Sequence, residues 1–159
     1  MIKKFILTTL LFVWGSPAGA AYHKIVTSQD CPKAVQSAAR ILAGRMKLSA
    51  QDIVTGSDIV AVEGEVVLTM LPLKAPQAKS IEEAAKQIRS DGYAIVFNRG
   101  GATILGARPR SLLYAAADWH LWKDKTDGVY VRTPSFAIRA AQYDGSLPVD
   151  EYVATLGAN

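Results

Sequence analysis

Several groups of side chains in this 159-residue chain are of types that could do chemistry. Glu63 with Glu65, and Glu82 with Glu83, are carboxylate pairs, the raw material of general acid–base catalysis. Their spacing argues against that use: neighbours one or two apart on a helix diverge, and glutamates flanking a turn glycine are expected to be solvated. His23, His120 and Cys31 could ligate a metal, but they fit no recognised ligand spacing, and His120 falls on an apolar helix stripe where core packing is expected. Gly100, Gly101 and Gly106 lack the Lys-Ser/Thr of a phosphate loop. No serine, Ser111 included, occupies a G-x-S-x-G turn. Arg99, Arg108 and Arg110 form a basic cluster with Trp119 and Trp122 downstream. Such tryptophans can stack on sugars, but a buried or domain-facing position is the expectation. No nucleophile, base and orienting group converge, so these residues predict no catalytic residue, no metal and no cofactor.

The elements that would position these residues follow from periodicity and turn chemistry. Residues 22–27 (YHKIVT) alternate as a first strand. Ser28, Gln29 and Asp30 offer helix-capping side chains, and Pro32 suits a first helical turn. Val35, Ala38, Ala39, Leu42 and Met46 recur at three- and four-residue steps, which predicts a helix over 33–47. Residues 48–57 read as a loop, 59–62 as a short strand, and 66–71 as a strand entered through Glu63, Gly64 and Glu65. A short helix over 81–90 is expected to use Ser80 as N-cap, with Glu83 completing a capping box. Strands at 92–97 and 102–105 flank Asn98, Arg99, Gly100 and Gly101, a turn that makes them antiparallel neighbours. A second long helix over 110–123 would bury Leu113, Ala116, Ala117 and either His120 or Leu121. Asp127 and Gly128 then turn into a brief strand at 129–131. This order predicts an α+β domain over 21–133: a mostly antiparallel or mixed sheet with helices packed on one face.

The first twenty residues read differently. MIKKFILTTLLFVWGSPAGA has two lysines, an apolar run over 5–14 and an A-x-A site at Ala18 to Ala20, the pattern of a cleavable secretory signal. The apolar run is about half the ~20 residues a membrane-spanning helix needs. Periplasmic or extracellular localisation is therefore expected, with cleavage after Ala20 and no membrane association afterwards. Removing 20 of the 159 residues leaves 139, the size of one ordinary domain. Without Lys3 and Lys4, 16 basic residues face 14 acidic ones, an excess of 2 that is too small to predict nucleic acid as a partner. Cys31 is the single cysteine, so neither an intramolecular disulfide nor a zinc site built on cysteine pairs can form.

Two stretches carry a family resemblance. Residues 91–119 (DGYAIVFNRGGATILGARPRSLLYAAADW) have an acidic residue and Gly-Tyr before a strand, a glycine turn, a strand ending in Gly, and a helix with Leu-Leu-Tyr-Ala. This resembles the accessory domain that precedes the catalytic barrel in glycoside hydrolases such as β-N-acetylhexosaminidases and α-glucuronidases. Residues 134–144 (PSFAIRAAQYD) are similar to the first barrel strand of the hexosaminidases at Pro134, Phe136, Arg139 and Asp144, and 149–159 resemble the first barrel helix. Ala140 stands where that family usually has Gly, and the segment after Asp144 is shorter than usual. The resemblance implies that Arg139 and Asp144 bind substrate in a full-length parent, Arg139 by donating to sugar hydroxyls. It also implies that the catalytic Asp-Glu pair belongs to a later barrel strand.

A (β/α)₈ barrel takes about 250 residues, and only one β-α unit is expected over 134–159. The chain is thus expected to be a fragment, inactive alone: the non-catalytic accessory domain of a secreted glycoside hydrolase, meeting carbohydrate only through the missing barrel. The alternative is a stand-alone periplasmic module that binds a glycan or a protein through Trp119, Trp122 and the nearby arginines. The sequence assigns no oligomeric state.

Overall fold

The computed structural model describes residues 22–57, 60–73 and 78–133; the expected signal at 1–20, the expected barrel unit at 134–159, and with it Arg139 and Asp144, lie outside the described residues. Six strands form one mixed sheet: β1 (Lys24–Thr27), β2 (Ile53–Thr55), β3 (Glu65–Met70), β4 (Tyr93–Asn98), β5 (Gly101–Gly106) and β6 (Gly128–Arg132). Their spatial order is β2-β1-β3-β5-β4-β6. β1 runs parallel to β2 and β3, and β3 parallel to β5, while β4 is antiparallel to β5 and to β6. With helices α1 (Lys33–Met46), α2 (Lys79–Gln87), α3 (Pro109–Ala117) and α4 (Trp119–Trp122), the domain is α+β, as its element order predicts. No helix among the described residues is long and apolar enough to cross a membrane.

The main core lies between the sheet and α1 with α3. Val35, Ala38, Ala39 and Leu42 are buried along the predicted α1 stripe, against Ile25, Val66, Leu68, Ile95 and Ile104. Burying a side chain the size of Leu42 is worth about 1.5–3 kcal/mol. Alanines at 38 and 39 on α1, and at 115 and 116 on α3, are fully buried, and their small side chains let the two helices approach closely.

Helices on one face describe α1 and α3 but not α2. Ile81 and Ala84 of α2 pack on the opposite face, against Ala94, Val96 and Leu105. The reason is in β4, where both sets of alternate residues are apolar: Tyr93, Ile95 and Phe97 face α1 and α3, and Ala94 and Val96 face α2. An antiparallel alternation with one wet face does not exist there, so a helix must cover each side.

Local chemistry decides the remaining differences. A fourth parallel strand, β2, forms inside the expected loop 48–57 and pairs with β1 through Ile25 opposite Ile53. It is launched by a tight turn in which the Ser49 amide and hydroxyl donate to Oδ2 of Asp52 at 2.7 and 2.8 Å, and these bonds hold the Asp52 carboxyl below its usual range. Residues 60–62 of the expected strand 59–62 are not in the sheet; the Ala61 amide instead donates to Thr103 Oγ1 at 3.1 Å. Neither expected cap forms. α1 starts after Pro32, whose carbonyl accepts from Val35 and Gln36, and α2 starts after Ala78, with Lys79 pairing Glu83 at 3.8 Å. The β4–β5 turn is as predicted, a two-residue connection with Arg99 at φ 47° and Gly100 at φ 77°, the twist that matches a hairpin.

The long helix expected over 110–123 breaks at Asp118. The break rotates Trp119 into the core at 3% exposure and turns Leu121 outward at 46%. His120 is likewise exposed, with Nδ1 3.1 Å from the Ala117 carbonyl oxygen, so neither His120 nor Leu121 continues the buried stripe.

Candidate functional site

The densest polar arrangement lies where β4 begins and β5 and β6 end. Register sets Tyr93 beside Gly106 on one side and Arg132 on the other. Gly92 is obligatory here, because a Cβ would sit 2.8 Å from the carbonyl oxygens of both Arg89 and Arg132. Gly106 serves the same corner: a Cβ there would lie 2.9 Å from Cγ of Leu112, so its absence seats the first turn of α3 on the sheet.

Four side chains meet in this corner's core. The Tyr93 hydroxyl donates to Asp118 Oδ2 at 2.6 Å, Trp122 Nε1 donates to the Tyr93 oxygen at 2.9 Å, and Arg132 Nη1 lies 2.8 Å from the same Oδ2. Asp118 is 1% exposed, and its Oδ1 is buried without a hydrogen-bond partner. Burial pushes the Tyr93 phenol well above its ordinary value of 10.0, and the hydrogen bond and charge of Asp118 raise it further. Tyr93 therefore keeps its proton at neutral pH, where it serves as a donor and not as a nucleophile or base. What this arrangement can do is hold elements together: α4 through Trp122, β4 through Tyr93, and β6 through Arg132.

A second network adjoins it. Asp91 Oδ2 lies 2.6 Å from Arg110 Nη2, while its Oδ1 lies 3.4 Å from Arg108 Nε without hydrogen-bond alignment. The Arg108 amide donates to Ser111 Oγ at 3.1 Å, and Pro109 opens the helix between the two arginines. The Asp91 carboxylate thus neutralises the N-terminal end of α3 as well as part of the guanidinium charge.

The sequence-level candidates separate accordingly. Arg108 and Arg110 come together on Asp91, whereas Arg99 is at the β4–β5 turn, where its amide donates to Asp127 Oδ2 at 3.2 Å. Trp119 is buried, edge-on to Tyr22 at 5.4 Å, and Trp122 spends its N–H on Tyr93, so burial prevails over an open sugar-stacking face. Glu65 is not solvated as expected but is drawn into β3, where it is opposite Lys24 and ion-paired with it. Glu63 is exposed and Glu83 pairs Lys79. His23 is exposed, its ring over Gly64; Cys31 is a free thiol partly buried against the main core. Among the described residues no three His, Cys, Asp or Glu side chains gather as metal ligands.

A cavity of about 10 Å³ lies on the other face, lined by Ala78, Ser80, Ile81, Val96 and Thr103 among others. That is room for one water and not for a sugar ring. Reasoning from sequence passed over Asp118 and Arg132. The available signal was an acid within the apolar run LLYAAADWHLW, where an unpaired charge would be costly.

Neither the protein-family models nor the curated proteins contain a match to this chain.

Proposed function

We propose that residues 21–133 form a non-catalytic accessory domain that braces the catalytic barrel of a secreted glycoside hydrolase of the hexosaminidase or α-glucuronidase kind. In that reading residues 1–20 are a secretion signal, and Arg139 and Asp144 bind substrate once a barrel surrounds them. One observation carries the proposal: the Asp118–Arg132 ion pair ties β6, the last strand among the described residues, to α4 and β4 in the core. A spacer has no need of such an anchor, whereas a domain that fixes the position of its successor does.

The family-like residues between 91 and 119 also acquire structural reasons. Asp91 secures the start of α3, Tyr93 reaches Asp118, Gly106 makes room for Leu112, and Leu112 with Ala115 fills the core. Tyr93, Leu112 and Ala115 are occupied inside the domain, which suits bracing better than turnover.

Reading the coding DNA past the codon for Asn159 tests the proposal. The expected result is an open frame of several hundred codons encoding an Asp-Glu pair, whose full product hydrolyses an aryl β-N-acetylglucosaminide or glucuronide. A stop codon directly after Asn159 overturns it. N-terminal sequencing of the exported protein, expected to begin at Ala21, checks the secretion signal.

A further inference from the structure

We propose that the corner formed by Asp91, Arg108 and Arg110 is a docking site for an acidic polypeptide segment, which it grips through the guanidinium nitrogens that Asp91 leaves unused. Two cations share one carboxylate there, leaving a surplus positive charge. The carboxylate is inside and the cations are outside: the Asp91 side chain is 13% exposed, against 62% for Arg108 and 49% for Arg110. Arg108 approaches Asp91 through Nε, which leaves both terminal nitrogens, the pair that engages a carboxylate side by side. Arg110 uses Nη2 alone. Among the described residues the ion pairs of both arginines are with Asp91.

Arg132 adds no charge to this corner, since its guanidinium pairs with Asp118 at the C-terminal end of α3. The site is held in shape before any partner arrives, since Pro109 and the Arg108–Ser111 hydrogen bond fix the backbone between the two arginines. The planar forks match carboxylates. A modest overall excess of 16 basic over 14 acidic residues beyond residue 20 supplies no broad field for a polyphosphate backbone.

Fluorescence anisotropy of a labelled oligo-L-glutamate titrated with the full chain tests this. Saturable binding that weakens with added salt is expected. Arg108→Gln with Arg110→Gln should weaken it about tenfold or more, since each lost charge-assisted bond is worth roughly that factor. Arg45→Gln with Lys47→Gln, at the exposed far end of α1, should leave it unchanged. Arg108→Lys keeps the charge but loses the fork, and should weaken binding severalfold in a chain whose circular dichroism is unaltered. The proposal is overturned by absent or non-saturable binding, by an equal loss in the α1 variant, or by undiminished binding in Arg108→Lys. Equally tight binding of a single-stranded oligonucleotide overturns it too.

Discussion

The hydroxyl of Tyr93 lies 2.6 Å from Oδ2 of Asp118, a residue 25 positions later in the chain. This one bond joins the start of β4 to the break between α3 and α4. Because Arg132 meets the same oxygen at 2.8 Å, it also joins both to the end of β6. A buried carboxylate is tolerable here since two donors, one of them cationic, converge on it.

Removing a donor should cost less than removing the acceptor. Tyr93→Phe leaves Asp118 paired with Arg132 but strands the Trp122 N–H, and should lower the unfolding free energy by about 1–3 kcal/mol. Asp118→Ala strands both Tyr93 and Arg132, with an expected loss of about 3–5 kcal/mol. Asp118→Asn keeps an acceptor and should fall between them. Urea denaturation checks the order, and equal losses for Asn and Ala would contradict the acceptor role.

Alkali should unfold the domain through its tyrosines. Burial pushes Tyr22 up to about 12, with the Asp127 charge adding to it, and Tyr93 is raised further for the reasons above. Between the ordinary value of 10.0 and these native values, the folded chain holds protons that the unfolded chain has lost. Stability from both groups is therefore complete below about pH 10 and drains away as pH climbs through the native values. Unfolding followed over this range should show a steep alkaline limb, flattened in Tyr93→Phe and in Tyr22→Phe. A limb of unchanged steepness in both variants would remove this account.

Two glycines should respond oppositely to alanine. A Cβ at Gly101 would lie 2.4 Å from the Val62 carbonyl oxygen, backbone that cannot swing away, so Gly101→Ala should destabilise by about 2 kcal/mol or more. Gly44 is exposed within α1 with nothing within 4 Å of a Cβ, and Gly44→Ala should stabilise by about 0.5–1 kcal/mol. Thermal melts of the two variants shifting in the same direction would refute the geometry.

If Arg132 anchors β6, its loss should be felt locally first. Arg132→Gln is expected to speed amide exchange in β6 well before the partners of β3 and β5 are affected. Uniform acceleration across the sheet would mean that the ion pair contributes only to global stability.

Patterns of short range were legible in the sequence. The α1 stripe from Val35 to Leu42, the hairpin around Arg99 and Gly100, and the α+β class all follow from residue spacing and turn chemistry, which act over a few positions. Strand β2 was not legible, because three residues carry too little periodicity and its existence depends on β1 offering a parallel edge. The placement of α2 depended on β4 being apolar on both faces, a fact with two readings until the partners were known. Glu65 looks solvated beside a turn glycine and becomes a strand residue once Lys24 stands opposite it. The same holds at the candidate site. An acid in the run AAADWHLW is conspicuous by itself, but only the sheet register that brings Tyr93 and Arg132 side by side gives Asp118 its partners. Local propensity chose the elements; long-range pairing of buried charge and apolar faces decided where they went, because those free energies exist only once distant segments meet.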